Sequence, residues 1–156
     1  MARQVPYVGY LSLGSDPDGS DPNSSDPNSS EPNSSEPNSS DPHLVANECA
    51  SCGALFFDRR NACASCGARD FSARRLANDG VLRAFTIVHR ATPDVTVPYV
   101  SGIVDLDGGG VVKANIVGID PKPENLSLGM KLTLTTFPIG TDSEGTEAVS
   151  FGYQPA

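Results

Sequence analysis

Four cysteines are the residues of this chain best suited to chemistry, and their spacing predicts a metal site. Cys49, Cys52, Cys63 and Cys66 follow the pattern Cys-x2-Cys-x10-Cys-x2-Cys, and each pair stands in the same hexapeptide, Cys-Ala-Ser-Cys-Gly-Ala. Two thiolates separated by two residues fold onto one ion, and the glycine after each pair relieves the backbone where the chain leaves the turn. Two such knuckles complete a closed tetrahedral site, so we predict a structural zinc ion held by all four thiolates.

The same cysteines allow two other interpretations. A four-cysteine iron site carries electrons in rubredoxin, although its knuckles usually hold a proline where this chain has Ala-Ser. Redox Cys-x-x-Cys motifs usually open a helix beside a βαβ unit, a pattern that this sequence lacks. The first residues show no apolar segment typical of a secretory signal, so we expect a cytoplasmic protein. Thiols stay reduced there, which favours metal binding over disulfides.

Outside the cysteines, the sequence offers few groups for catalysis. Its two histidines are His43, at the end of a polar tract, and His89, in a predicted strand. A catalytic base needs a nucleophile beside it, and the metal site uses every cysteine. The Gly108–Gly110 run stands between two predicted strands, where a hairpin turn explains it better than a phosphate-binding loop. We therefore expect a non-catalytic protein.

Arginine is concentrated around the cysteines. Seven of the ten basic residues from position 43 onward lie between positions 59 and 90, and all seven are Arg. Arg can bind carboxylates and phosphates in a bidentate manner, which Lys cannot. These residues either form a solvated surface paired with nearby acidic groups, or contact a partner protein or the phosphates of a ligand such as CoA. The candidates for such contacts are Arg59, Arg60, Arg74 and Arg75.

A pentapeptide repeat of the type Ser-Asp-Pro-Asn-Ser interrupts the chain. Residues 15–42 contain no Ala, Val, Leu, Ile, Met, Phe or Tyr. Such a tract cannot offset its ordering entropy by apolar burial, so we predict a disordered linker over 15–42 behind an N-terminal docking segment at 1–14. The tract holds seven of the nineteen acidic residues, so the remainder is nearly neutral despite a net charge of −8. This balance argues against nucleic-acid binding, and no apolar run is long enough to span a membrane.

From residue 43 onward, the apolar pattern is that of short strands. Residues 43–79 hold the cysteines between β-prone pieces and form the predicted zinc ribbon. Residues 80–156 are rich in β-branched and aromatic residues, which predicts an all-β domain. Five strands without an amphipathic helix indicate a small barrel, for which an OB fold is our interpretation and an SH3-like barrel the alternative. The predicted strands are Val81–Ala91, Val97–Leu106, Val111–Val117, Met130–Phe137 and Ala148–Tyr153.

The order of these motifs resembles a known family. After the two Cys-Ala-Ser-Cys-Gly motifs come Gly-Val-Leu-Arg-Ala-Phe-Thr-Ile-Val-His-Arg-Ala from residue 80, Ile-Val-Asp-Leu-Asp-Gly from residue 103 and Ala-Asn-Ile-Val-Gly from residue 114. Leu-Gly-Met-Lys-Leu follows from residue 128, and Phe-Gly-Tyr from residue 151. This sequence is similar to the bacterial and archaeal acyl-CoA-associated proteins that join a rubredoxin-like zinc ribbon to an OB fold. The resemblance covers residues 43–156.

The resemblance implies a function that the residues alone do not. Members of that family are non-catalytic accessory subunits of thiolase-superfamily enzymes, aldolases among them, and of acyl-CoA hydratases. It therefore implies a hetero-oligomer in which this chain stabilises its partner and helps to form an acyl-CoA site at the shared interface. The alternative is a nucleic-acid-binding module, because zinc ribbons and OB folds also serve that function.

Overall fold

The structure, a computed structural model, describes residues 3–14 and 41–156, and almost all of the predicted disordered linker lies outside these ranges. Within them the regular structure is β, apart from one 3-10 turn at Pro123–Asn125, which confirms the predicted all-β class. None of the helical structure found there is long and apolar enough to cross a membrane. The strands are β1 (Gln4–Pro6), β2 (Leu11–Ser12), β3 (His43–Cys49), β4 (Leu55–Phe56), β5 (Phe71–Arg75), β6 (Asp79–Val88), β7 (Tyr99–Leu106), β8 (Val111–Ile116), β9 (Lys131–Thr141) and β10 (Glu147–Pro155).

Strands β6 to β10 form a closed five-stranded barrel. The strand order is β10-β8-β7-β6-β9, and β10 also pairs antiparallel with β9, which closes the sheet on itself. The β10–β8 pairing is parallel and passes through Tyr153 and Ile116. Because β10 and β8 pair at this one position, the barrel closes over a short contact, as in the partly open barrel of an OB fold. The predicted five-stranded OB-type barrel is confirmed.

The barrel core follows from the two-residue period of its strands. Along β7 and β8 every second residue is buried, because successive side chains of a strand point to opposite faces. Gly102 lies where β7 packs so closely that an added Cβ would come within 2.9 Å of the Ile116 side chain. The most deeply buried barrel side chains are Leu82, Val100, Val104, Leu132 and Tyr153.

Two predicted strands are shorter than expected at the loop that joins β6 to β7. The first ends at Val88 and the second begins at Tyr99, and every residue from 89 to 98 is exposed. The segment buries no side chain, and Pro98 has no backbone N–H to donate to a ladder. The prediction that His89 lies in a strand is therefore wrong, because this residue belongs to the exposed loop.

The ribbon is a second, smaller sheet built around β3. This strand pairs antiparallel with β2, β4 and β5, and its Leu44 and Ala46 side chains are buried. Cys49 is the last residue of β3 and lies opposite Phe71, the first residue of β5. The central strand therefore runs from the core directly to the first predicted metal ligand.

The N-terminal residues contact both sheets. Strand β1 pairs parallel with β10 of the barrel, and β2 pairs with β3 of the ribbon. Between them, the Tyr10 ring lies 4.7 Å from the Phe57 ring of the ribbon and 5.9 Å from the Phe151 ring of the barrel, measured between centroids. Leu11 is buried. Residues 4–12 therefore fasten the ribbon to the barrel, and the docking function of residues 1–14 stays a prediction.

Candidate metal centre

The two cysteine knuckles have the same local geometry because they have the same sequence. In each knuckle the glycine N–H donates to the carbonyl of the first cysteine, at 2.9 Å from Gly53 to Cys49 and 2.8 Å from Gly67 to Cys63. Both glycines have positive φ, +73° and +77°, a conformation that a side chain would disfavour. The repeated hexapeptide thus presents two matching pairs of sulfurs.

The tertiary structure brings the four sulfurs together. All four Sγ atoms lie within 4.8 Å of one another, and the Cys49–Cys66 and Cys52–Cys63 pairs are each 3.6 Å apart. A tetrahedron with zinc–sulfur bonds of 2.3 Å has edges of about 3.8 Å, so the cluster matches the size that zinc needs. Four thiolates would fill the coordination shell of a zinc ion, which would supply folding energy and leave no open catalytic position.

The sulfurs differ in their surroundings. Cys49 and Cys63 are buried, whereas Cys52 and Cys66 are exposed. Burial alone would raise the pKa of the Cys63 thiol, but the backbone N–H groups of Cys66 and Ser65 stabilise its thiolate, and its pKa falls to about 7. The Ser65 nitrogen lies 3.4 Å from that sulfur.

Cys52 shows the opposite shift. The Ala54 N–H favours its thiolate, but hydrogen bonds with the neighbouring sulfurs, Cys66 first, outweigh this contact and raise its pKa to about 11. Cys63 therefore forms its thiolate at a lower pH than Cys52 does. Binding of the ion must displace protons from sulfurs such as Cys52, because only thiolates coordinate.

The structure separates the four candidate arginines into two groups. Arg59 and Arg60 are exposed in the loop between the knuckles, and the Arg60 guanidinium lies 4.3 Å from the centroid of the Phe56 ring. Arg74 and Arg75 are half-buried on β5. Arg59 and Arg60 in the loop are accessible to a partner, whereas Arg74 and Arg75 on β5 belong to the ribbon sheet.

Arg74 has an internal function that the sequence analysis missed. Its guanidinium donates to the Glu48 carboxylate at 2.9 Å and to the Gly108 carbonyl at 2.9 Å. Glu48 belongs to the ribbon, and Gly108 belongs to the turn between β7 and β8, so the side chain ties the ribbon to the barrel. No local pattern marks this contact, because its partners lie 26 and 34 residues away in the chain.

The comparisons with known proteins agree with this architecture. Residues 40–72 match the rubredoxin-like zinc ribbon domain of ChsH2, and residues 73–137 match the C-terminal OB-fold domain of ChsH2. Together the matches run without a gap over more than half of the chain. The chain belongs to the ChsH2 family. The resemblance identified from the motifs is therefore confirmed. Zinc, which the cysteine spacing predicts, is the cofactor that fits the four Sγ atoms of this ribbon.

One solved structure similar to this ChsH2-family chain is described as "Ltp2-ChsH2(DUF35) aldolase". The similarity has a TM-score of 0.58 and 27% sequence identity, and it covers 72% of this chain and 84% of that chain. No curated protein matches the sequence.

Proposed function

We propose that this chain is a non-catalytic accessory subunit of a thiolase- or aldolase-like enzyme complex that acts on acyl-CoA thioesters. The observation that carries the proposal is its membership of the ChsH2 family, together with its similarity to a chain of the Ltp2-ChsH2 aldolase. In this proposal the partner subunit performs the carbon–carbon chemistry. The chain stabilises that partner and contributes to the acyl-CoA site.

The side chains of the described residues support a subunit without its own chemistry. In this proposal all four cysteine sulfurs, which lie together in one cluster, bind the metal ion. The His43 ring nitrogen lies 2.8 Å from the Asp41 carbonyl, and His89 lies in an exposed loop of the barrel. Neither histidine is placed as a base beside a nucleophile.

The exposed loop between the knuckles supplies the proposed contact surface. Arg59 and Arg60 stand next to each other there, and the Phe56 ring, itself 6.1 Å from the Phe71 ring, supports the Arg60 side chain. A guanidinium held on an aromatic ring loses less conformational entropy when it binds an anion. The surface therefore suits acidic groups of the partner or the phosphates of CoA.

The outer face of β7 and β8 favours this proposal over nucleic-acid binding. Single-stranded nucleic acid binds OB folds through stacked aromatic side chains beside a basic groove. Among the outward positions of these two strands, Tyr99 is the one aromatic residue and Lys113 the one basic residue. Ile103 and Asp105 occupy the same face.

Reconstitution with the thiolase-superfamily enzyme of the same host tests the proposal. The chain alone should show no aldol cleavage of an acyl-CoA, and a mixture should form a stable complex with higher turnover or a higher melting temperature than the enzyme alone. Charge reversal at Arg59 and Arg60 should weaken the complex, because interface charges contribute to association. The matched control reverses the exposed Arg90 and Lys113 on the barrel, which should leave binding unchanged.

Three results would refute parts of the proposal. Turnover by the isolated chain would refute the non-catalytic function. Equal binding by the two charge-reversed variants would show that Arg59 and Arg60 do not form the contact surface. Micromolar binding of a single-stranded oligonucleotide at physiological salt, without binding to any acyl-CoA enzyme, would favour the nucleic-acid alternative.

A further inference from the structure

We propose that the metal centre is also a site of reversible oxidation, at which peroxide converts the zinc tetrathiolate to two disulfides that cross from one knuckle to the other. The arrangement of the sulfurs carries this inference. Each 3.6 Å sulfur pair joins one exposed cysteine to one buried cysteine, Cys52 to Cys63 and Cys66 to Cys49. Every sulfur that a small oxidant can reach thus has an inaccessible partner in the opposite knuckle.

The exposed sulfurs are the points of attack. Zinc keeps its ligands as thiolates, and the thiolate is the form of cysteine that reacts with peroxide. Cys52 and Cys66 are open to solvent, whereas Cys63 is buried and accepts a hydrogen bond from the Ser65 N–H. Because a small oxidant reaches the exposed sulfurs first, oxidation begins at Cys52 or Cys66.

The chemistry balances with hydrogen peroxide as the oxidant. The Cys52 thiolate attacks one peroxide oxygen, the O–O bond breaks, and a sulfenic acid and hydroxide form. The Cys63 thiolate then attacks the Cys52 sulfur, an S–S bond forms, and a second hydroxide leaves. The same two steps join Cys66 to Cys49. Two peroxides are reduced to four hydroxides, four thiolates are oxidised to two disulfides, and the zinc ion, without ligands, enters solution.

The cross-knuckle pairing has a structural consequence. A Cys52–Cys63 disulfide closes the loop that carries Arg59 and Arg60, and a Cys49–Cys66 disulfide joins the knuckles at the end of β3. The oxidised ribbon thus keeps its two knuckles together without the ion. Pairing within each knuckle would instead leave the two knuckles free to separate.

The chain contains a direct assay for this pairing. No Lys or Arg lies between Arg3 and Arg59, and trypsin also cleaves after Arg60 and Arg69. Cys49 and Cys52 therefore fall in one tryptic peptide, and Cys63 and Cys66 fall in another. Non-reducing digestion links these two peptides if the disulfides cross between knuckles, and releases them separately if each pair closes within its own knuckle.

The experiment treats the zinc-loaded full chain with two equivalents of hydrogen peroxide. We expect release of about one zinc per chain, read with a chromogenic chelator, and an intact mass four hydrogens below that of the reduced metal-free chain. The two cysteine peptides should be linked, with fragmentation that assigns Cys52 to Cys63 and Cys49 to Cys66. A dithiol reductant with added zinc should restore the original mass and metal content.

The controls make each contrary outcome decisive. A parallel sample with catalase should keep its zinc and its mass. Retention of zinc under peroxide that fully oxidises glutathione would overturn the proposal, as would separate tryptic peptides with an internal disulfide in each. Because every readout uses the chain alone, the result does not depend on the accessory-subunit function.

Discussion

At the scale of single residues, long-range contacts decide which arginines can face a partner. No local sequence feature distinguishes Arg74 from Arg59. The Arg74 guanidinium nevertheless donates hydrogen bonds within the fold, to the Glu48 carboxylate and to the Gly108 carbonyl. This contact lies where the Gly109 backbone approaches the Leu55 side chain of the ribbon. A residue chosen from composition as a surface contact is therefore part of the ribbon–barrel junction.

Replacement of Arg74 by Ala should lower the free energy of unfolding by about 1 kcal/mol, because a charge-assisted pair and a bond to a carbonyl are lost from a half-exposed position. The matched control is Arg83→Ala, since Arg83 lies 3.5 Å from Asp105 and both side chains are largely exposed. Such a pair contributes little, so the control should change stability by less than about 0.5 kcal/mol. Urea unfolding curves measure both changes, and equal effects would contradict the junction function of Arg74.

At the scale of elements, different interactions stabilise the zinc ribbon and the barrel. The barrel strands bury alternate side chains and need no cofactor to do so. The segment from Cys49 to Cys66 has little buried apolar surface of its own, since most of its residues are exposed or half-buried. The metal must therefore supply most of the energy that holds the knuckles together.

The purified chain should carry about one zinc, and Cys49→Ser or Cys63→Ser should disorder the ribbon while the barrel stays folded. Hydrogen exchange should show lost protection over residues 46–75 and retained protection in β7 and β8. A ribbon that stays protected after chelation of the ion would contradict this expectation. Stoichiometric iron with visible colour would favour the rubredoxin-like interpretation.

Zinc binding should weaken as pH falls, because protons compete with the ion for the thiolates. The pKa of Cys63 is about 7 and that of Cys52 about 11 in the metal-free fold, so binding displaces a proton from Cys52 throughout the neutral range. Below about pH 7 Cys63 also holds a proton, and affinity should fall more steeply. Chelator-detected release between about pH 8 and pH 5 measures this, and release that did not depend on pH would show that the thiols are not the ligands.

At the scale of the whole molecule, the ribbon and the barrel share one core. Leu44 and Leu76 of the ribbon belong to the same buried cluster as Leu106 and Val112 of the barrel. Leu11 joins this cluster from the N-terminal segment. Since β2 pairs with β3, the pentapeptide tract connects two strands that lie side by side.

Deletion of Ser20–Ser39 should leave the fold intact and raise its stability slightly. The deletion shortens the connection between the paired strands β2 and β3 from 30 residues (13–42) to ten. The smaller loop-closure entropy is worth about 1 kcal/mol. A second variant that replaces these twenty residues with Gly-Ser of equal length should melt like the natural chain, which separates length from composition. A large loss of stability in either variant would show that the tract makes contacts, contrary to the predicted disordered linker.

The sequence by itself determined the features that depend on neighbouring residues. The repeated hexapeptide sets the geometry of each knuckle, because its hydrogen bonds and its glycine lie within five residues. The period-two pattern likewise located the barrel strands, since alternation is a property of a strand before it pairs.

Only the tertiary structure decided the features that depend on residues far apart in the chain. The pairing of β1 with β10, the Arg74 contacts and the match of each exposed sulfur with a buried one all join segments with no shared local pattern. The early strands are two or three residues long, too short for any period to show. Their conformation is stabilised by the sheets that they join, so it could be recognised only once those sheets were in place.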